Sequence, residues 1–367
     1  MPPTRLTILG GGLAGLYAAY LLEQHGIHDY LLIEARPRWG GRIDAASSGA
    51  DAFDLGPTWF WPALQPQLDH LVRDLGLASF AQHEAGDMVV ERSPNAPAMR
   101  TRGYLSSPRS MRLAGGMGAL VAALQRRLDP ARLLAGHTVR RLACGGAQVD
   151  LEVVAADGQT TSLRAGQVLL ALPPRLAATT LQFAPALPEA LARAWRGTAT
   201  WMAPHAKYLA VYDTPFWREQ GLSGEARSAC GPMAEIHDAS AASGGAALFG
   251  FLGLPAQVRS SVPEDVLRAH CRAQLARLFG PRAALPQAEF LKDWASDPFT
   301  ATAADLQGGG EHADAPPAGV PSGPWRGRIV GIASEWSPQF PGYLAGAVEA
   351  ADLGVRAALL SEGHAAR

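Results

Sequence analysis

The chain has 367 residues, 48% of them hydrophobic, with 32 basic and 33 acidic side chains and a net charge of −1. That length predicts about two domains with a sizeable core, and the balanced charge leaves no basic excess to neutralise phosphates, which excludes a nucleic-acid partner. No run of about 18 apolar residues is present to span a membrane, no signal-peptide pattern opens the chain, and Cys144, Cys230 and Cys271 are too dispersed for a zinc site or a disulfide framework. A soluble, cytoplasmic protein without a metal or a membrane partner is therefore expected.

The first element is a short apolar strand over residues 6–9. Gly10, Gly12 and Gly15 come next as G-x-G-x-x-G, and residues 13–24 carry a helical stripe of Leu16, Ala19, Tyr20 and Leu22 that Gly26 ends. A second apolar strand, 30–33, closes at Glu34. The order has a specific physics. The first glycine permits the tight turn, the second the approach of a pyrophosphate, and the third close helix–strand packing. The helix N-terminus offers free N–H groups to phosphates. Glu34, 19 residues past Gly15, is placed to accept from ribose hydroxyls and disfavours the 2′-phosphate of NADP.

The segment beginning at Glu34 decides the dinucleotide. "EARPRWGGR", 34–42, resembles the flavin-containing amine oxidase family, whose members continue as E-A-x-x-R-x-G-G-R; Glu34, Ala35, Arg38, Gly40, Gly41 and Arg42 match. The resemblance implies FAD, held here by Gly10, Gly12, Gly15, Glu34, Ala35, Arg36, Gly41 and Arg42. Guanidinium groups suit that task because they present fixed, paired donors to phosphate oxygens.

"DLGPTWFWP", 54–62, is a loop broken by Gly and Pro. It resembles the family segment that passes the flavin ring, which implies contacts from Gly56, Pro57 and Thr58, with Pro57 where a second glycine is usual. Trp59 and Trp61 either line a pocket or pack as core aromatics. A helix with Leu120, Leu124 and Leu128 on one face comes after it, then a β-meander from His137 with a turn at Asp157–Gly158 and a buried strand over 168–172. By the same resemblance the backbone of Val139 contacts the adenine. Between 181 and 291 short strands mix with one clear helix, 263–279, whose apolar side is read as Val266, Leu267, His270, Leu275 and Leu278. "DAPPAGVPSGPW", 314–325, reads as a surface loop. A strand over 328–332 and a helix over 346–360 end the chain.

The last segment resembles the family's closing FAD motif. Glu335 and Tyr343 keep its spacing, with Ala333 and Ser334 in place of the usual Gly and Thr. This implies FAD contacts from Ser334, Glu335, Tyr343 and Leu344, with Tyr343 as one wall of an aromatic cage; backbone N–H groups near Leu344 would stabilise negative charge on a reduced flavin. In "KDWASDPFTATAAD", 292–305, Trp294 matches the family, but Ala303 and Ala304 stand where monoamine oxidases carry a flavin-linking Cys and a second Tyr. A non-covalent FAD and an incomplete cage are the consequence. "HAKYLAVYDTPFW", 205–217, resembles the strand whose lysine holds a water against flavin N5; Lys207, Pro215, Phe216 and Trp217 match. Thirty of the 32 cations are arginine, so a lysine inside an apolar strand is an unusual choice. A narrow ammonium can hold one water, which the wide guanidinium fork cannot.

The expected fold is α/β: a doubly wound, Rossmann-like FAD domain (1–71, 110–180, 294–367) interleaved with a mixed-sheet α+β substrate domain (72–109, 181–293). The catalytic residues are expected to be Lys207, Tyr343 and Trp294. The reaction implied is hydride transfer from the carbon beside an amine nitrogen to flavin N5, then imine hydrolysis, with oxygen or another acceptor taking the electrons. Two other readings of the same scaffold are a desaturase acting on C–C bonds and a non-catalytic binding protein.

Overall fold

The computed structural model describes residues 3–307 and 313–363. The chain forms two compact units: Met1–Ile43, Val121–Met202 and Pro298–Arg367 make the first, Asp44–Leu120 and Ala203–Asp297 the second.

The first unit is built on an eight-stranded sheet. Thr4–Leu9 lies between Tyr30–Glu34 and Thr160–Leu170, parallel to both. Leu133–Ala135 and Ile329–Gly331 add further parallel strands. Such strands are covered on both faces, which is why "YLLI" is a continuous apolar run and "LTIL" is broken only by the buried Thr7. Thr160–Leu170 serves two purposes. Its second half pairs with Thr4–Leu9, and its first half turns back antiparallel onto Val149–Ala155 as the expected meander. Helix Leu13–Gln24 packs on the C-terminal helix Leu344–Gly363, which starts two residues earlier than the sequence pattern indicates. Segment 314–325 is more than a surface loop: Val320 and Trp325 are buried in the core with Trp195, and Trp325 Nε1 donates to Pro185 O at 2.8 Å. An indole N–H needs a partner when buried, and the loop carbonyl supplies it.

The second unit holds a seven-stranded sheet in the order Ala288–Asp293, Ala206–Tyr212, Ala246–Leu252, Met233–Asp238, Leu222–Ser228, Asp87–Glu91, Met99–Arg102. Helix Glu264–Phe279 covers one face, setting Leu267, Cys271, Leu275 and Leu278 against Tyr208, Tyr212, Phe216 and Trp217. Two residues read as part of its apolar side are not: Val266 and His270 are exposed, because the buried stripe runs through 267, 271, 274 and 278 at helical spacing. On the opposite face Leu209, Val211 and Phe249 pack with Phe53.

The packing draws the unit boundaries elsewhere than the sequence pattern does. Residues 44–71 join the second unit, since Phe53, on the hairpin of Ala45–Ser48 and Asp51–Asp54, belongs to that unit's core. Residues 110–120 join it because Met111–Leu113 pairs with Ser79–Ala81. Residues 181–202 join the first, because Gln182–Ala184 extends its sheet and Trp195 fills its core. Among the described residues no helix is long and apolar enough to cross a membrane, and no cluster of His, Cys, Asp and Glu is placed to hold a metal. The three cysteines are free.

Candidate functional site

In the first unit the glycine turn is dictated by close approach. Gly10 has φ +107°, and a Cβ on it would lie 2.5 Å from Ala171 O. A Cβ on Gly15 would lie 1.9 Å from Gly10 O, so helix and turn pack backbone to backbone. Gly12 differs: a Cβ there would meet nothing nearer than 3.8 Å, and the helix it begins has no side-chain cap. A helix N-terminus without a side-chain cap leaves backbone N–H groups that fit a phosphate group. Glu34, buried at the end of its strand, accepts from Gly11 N–H at 2.6 Å and Arg36 N–H at 2.8 Å, which clamps the carboxylate at the turn. The arrangement fits the ribose and pyrophosphate of a dinucleotide.

The rest of the motif is anchored from far along the chain. Arg42 makes a two-pronged ion pair with Glu335, at 2.5 and 3.0 Å, and also donates to Ser334 Oγ at 3.2 Å. The first and last sequence signatures are thus one assembly. Arg36 donates to Thr300 Oγ1 at 3.0 Å and lies 5.2 Å above the Phe299 ring. Ala35 is half-buried and Gly41 has φ +57°. Val139 sits on the His137–Cys144 strand opposite Val153, just before a register shift.

Tyr343 and Leu344 mark the start of the C-terminal helix. A Cβ on Gly346 would lie 2.0 Å from Phe340 O, so this helix start is pressed onto the preceding turn. The Tyr343 ring lies 5.3 Å from that of Trp201, tilted at 45°. Nothing in the sequence pattern marked Trp201, because the two residues meet only through the fold. Ala303 and Ala304 are exposed, in the turn before Asp305.

In the second unit Lys207 lies on a strand whose seven residues are all buried. Its Nζ donates to Thr58 Oγ1 at 2.6 Å and Gly56 O at 3.2 Å, 3.9 Å from the Phe249 ring centre. Burial pushes its pKa down to about 7; Asp54 opposes this and Arg112 adds to it. Burial pushes Asp54 up to about 6, against the pull of Lys207, the Met117 N–H and Arg112. A lysine that changes protonation near neutrality is available for proton handling. Its cross-strand neighbours are Phe251 and Lys292. Lys292 is held by Asp297 at 3.3 Å and Asp44 at 3.6 Å, 4.4 Å above the Trp294 ring. Trp294 is buried and donates to Leu55 O at 3.2 Å.

Trp59 is part of an aromatic cluster: its ring lies 4.9 Å from His237 and 5.5 Å from Phe249, while Nε1 donates to Gln82. Trp61 donates to Ser110 Oγ at 3.0 Å. His237 pairs with Glu235 at 2.6 Å. Neither His237 nor Phe249 was marked in the sequence, where they are ordinary alternating strand positions; only the strand register brings them together. The sequence-marked residues therefore divide. Gly10, Gly12, Gly15, Glu34, Ala35, Arg36, Gly41, Arg42, Val139, Ser334, Glu335, Tyr343 and Leu344 belong to the first unit; Gly56, Pro57, Thr58, Lys207 and Trp294 belong to the second.

Comparison with known proteins identifies the family. The family model described as flavin containing amine oxidoreductase matches residues 93–359, and that of the NAD(P)-binding Rossmann-like domain matches residues 8–75. A probable flavin-containing monoamine oxidase A of Dictyostelium discoideum is 24% identical, the match covering 94% of this chain and 95% of that protein. Among solved structures, a wild-type putrescine oxidase bound to putrescine shares the fold with TM-score 0.78 at 22% identity, over 98% of this chain and 99% of that one. Cyclohexylamine oxidase from Brevibacterium oxydans IH-35A shares it with TM-score 0.80 at 19% identity, over the full length of both. With its glycine turn, clamped glutamate and Arg42–Glu335 pair in place, the chain belongs to the flavin-containing amine oxidoreductase family, a family of flavin-dependent enzymes.

Proposed function

We propose that this enzyme binds FAD non-covalently and oxidises a small amine at its C–N bond. The observation that carries the reading is Lys207, buried on an interior strand, anchored by Thr58 and Gly56 against Phe249, and poised to change charge near neutrality. Bound FAD supplies the two-electron acceptor for the hydrogen removed from the carbon beside nitrogen. The chain does the rest. Gly12 and the helix it starts hold the pyrophosphate, and Glu34 the ribose. The clamped Arg42 and Ser334, with Arg36, hold the remainder. We infer that Gly56, Pro57 and Thr58 act through the lysine they position. Lys207 in its amine form accepts a proton and in its ammonium form holds a water by donation. Tyr343, backed by Trp201, offers an aromatic wall to the neutral amine, and Trp294 fixes the loop behind Lys207 through Leu55. The imine produced takes up water and releases an aldehyde or ketone and ammonia or an amine, with oxygen or another compound as the final electron acceptor. Ala303 and Ala304 offer no thiol for a covalent link.

The test is an anaerobic absorption titration with primary, secondary and polyamines, putrescine and cyclohexylamine among them because structural relatives carry those names. Bleaching of the oxidised band by one amine class identifies the substrate class, and admitting air then shows whether oxygen is the acceptor. A band that dithionite bleaches and no amine does would favour C–C desaturation instead. Acid precipitation should leave the flavin in the supernatant.

A further inference from the structure

The hydrogen bonds of Lys207 explain how it is held but not how an ammonium is tolerated there. Both acceptors, Gly56 O and Thr58 Oγ1, are neutral, and an ammonium with no anion nearby is costly to bury. The carboxylates around it are mostly engaged by cations of their own. Glu235, beyond Phe251 in the sheet, is paired with Arg227 and His237. Asp44 and Asp297 flank Lys292. Asp238 is gripped by Arg218 through two hydrogen bonds of 2.8 and 2.9 Å, and His83 feels that pair.

Asp54 is different. It is buried at the end of the strand that leads directly into Gly56 and Thr58. Its Oδ1 accepts from Met117 N–H at 2.7 Å, while its Oδ2 is buried and accepts no hydrogen bond. The charges that act on it are Lys207 and Arg112. Arg112, also buried, spends its terminal nitrogens on Ala239 O and Ser240 O at 2.9 and 2.8 Å, and its Nε has no hydrogen-bond partner.

We propose that Asp54 is a positioning residue for Lys207, the buried counter-charge that keeps its ammonium form accessible, supplied by the same segment, 54–58, that provides the lysine's hydrogen-bond acceptors. Burial favours the neutral lysine; Asp54 opposes that and Arg112 adds to it. Only the kinetic arm of the test rests on the proposed function.

The chain has two lysines, Lys207 and Lys292. Biosynthetic carbon-13 labelling at lysine Cε therefore gives one NMR signal for each, assigned with K292R and followed against pH in the protein as purified. In D54N the Lys207 signal is expected to titrate about one pH unit or more lower than in the wild type. D54E, which keeps the charge, should restore the midpoint, and the acid limb of kcat/KM should move with the signal. An unchanged Lys207 midpoint in D54N overturns the proposal. A shifted NMR midpoint with an unmoved rate profile supports the counter-charge and removes Lys207 from the reaction. Should D54N fail to fold, K207M is read instead. Without the ammonium, Asp54 holds its proton to higher pH, so the acid-side change in stability moves upward from its wild-type position. Coincident acid-side profiles overturn the proposal.

Discussion

A slim alkyl stem ending in a single nitrogen separates Lys207 from the arginines used nearly everywhere else in this chain, and its surroundings show what that shape allows. Thr58 and Gly56 anchor its single nitrogen, 3.9 Å from the Phe249 ring centre. K207M is expected to lower kcat/KM by about 100-fold while flavin absorbance is retained. K207R should be no better, since its planar fork matches neither the anchors nor the space. In the wild type kcat/KM should rise with pH through about 7 as the lysine becomes neutral, and K207M should lose that limb; a pH–rate series on both proteins decides it. The lysine itself was legible in the sequence as an anomaly among arginines. Its anchors, its aromatic neighbour and Asp54 were not legible as a group, because strand pairing and a distant hairpin bring them together.

At the scale of elements, the glycine turn separates two uses of one residue type. Gly15 lacks a side chain because Gly10 O occupies the place a Cβ would take; Gly12 lacks one although a Cβ would make only ordinary contacts, at 3.8 Å with Gly40 O and Gly41 Cα. G15A should therefore destabilise the protein by about 1–3 kcal/mol through overpacking, seen as a fall in Tm with or without flavin. G12A should cost less than about 1 kcal/mol at this helix start but release flavin, seen as a lower ratio of flavin to protein absorbance. Equal losses of Tm would refute the distinction. The strand–turn–helix–strand unit was readable because its pattern is local: apolar periodicity, glycine spacing and a terminal acid all fall within 34 residues. Segment 314–325 was misread for the converse reason. Proline and glycine announce a loop, and no local signal tells that Trp325 finds its carbonyl partner at Pro185.

For the whole molecule, the buried pair Lys207 and Asp54 makes stability depend on pH in two windows of opposite sign. Lys207 falls from 10.5 to about 7 on folding, so between these values the unfolded chain binds more protons and stability rises with pH. Asp54 rises from 3.8 to about 6, so across that window the folded chain binds more protons and stability falls with rising pH. Urea unfolding from pH 4 to 10 should show both windows, and K207M should lose the alkaline rise; a parallel rise in K207M would assign it to other groups. The sequence alone determined the dinucleotide turn, the family signatures at both ends and the class of fold, because each rests on neighbours along the chain or on spacings that backbone geometry imposes. The tertiary structure decided the rest: where the two units divide, which aromatic stands beside Tyr343, and which oxygens anchor Lys207. Those are matters of strand register and core packing between residues more than 100 positions apart, Thr58 and Lys207 or Phe53 and Phe249 among them, and burial there shifts charge states that no local pattern encodes.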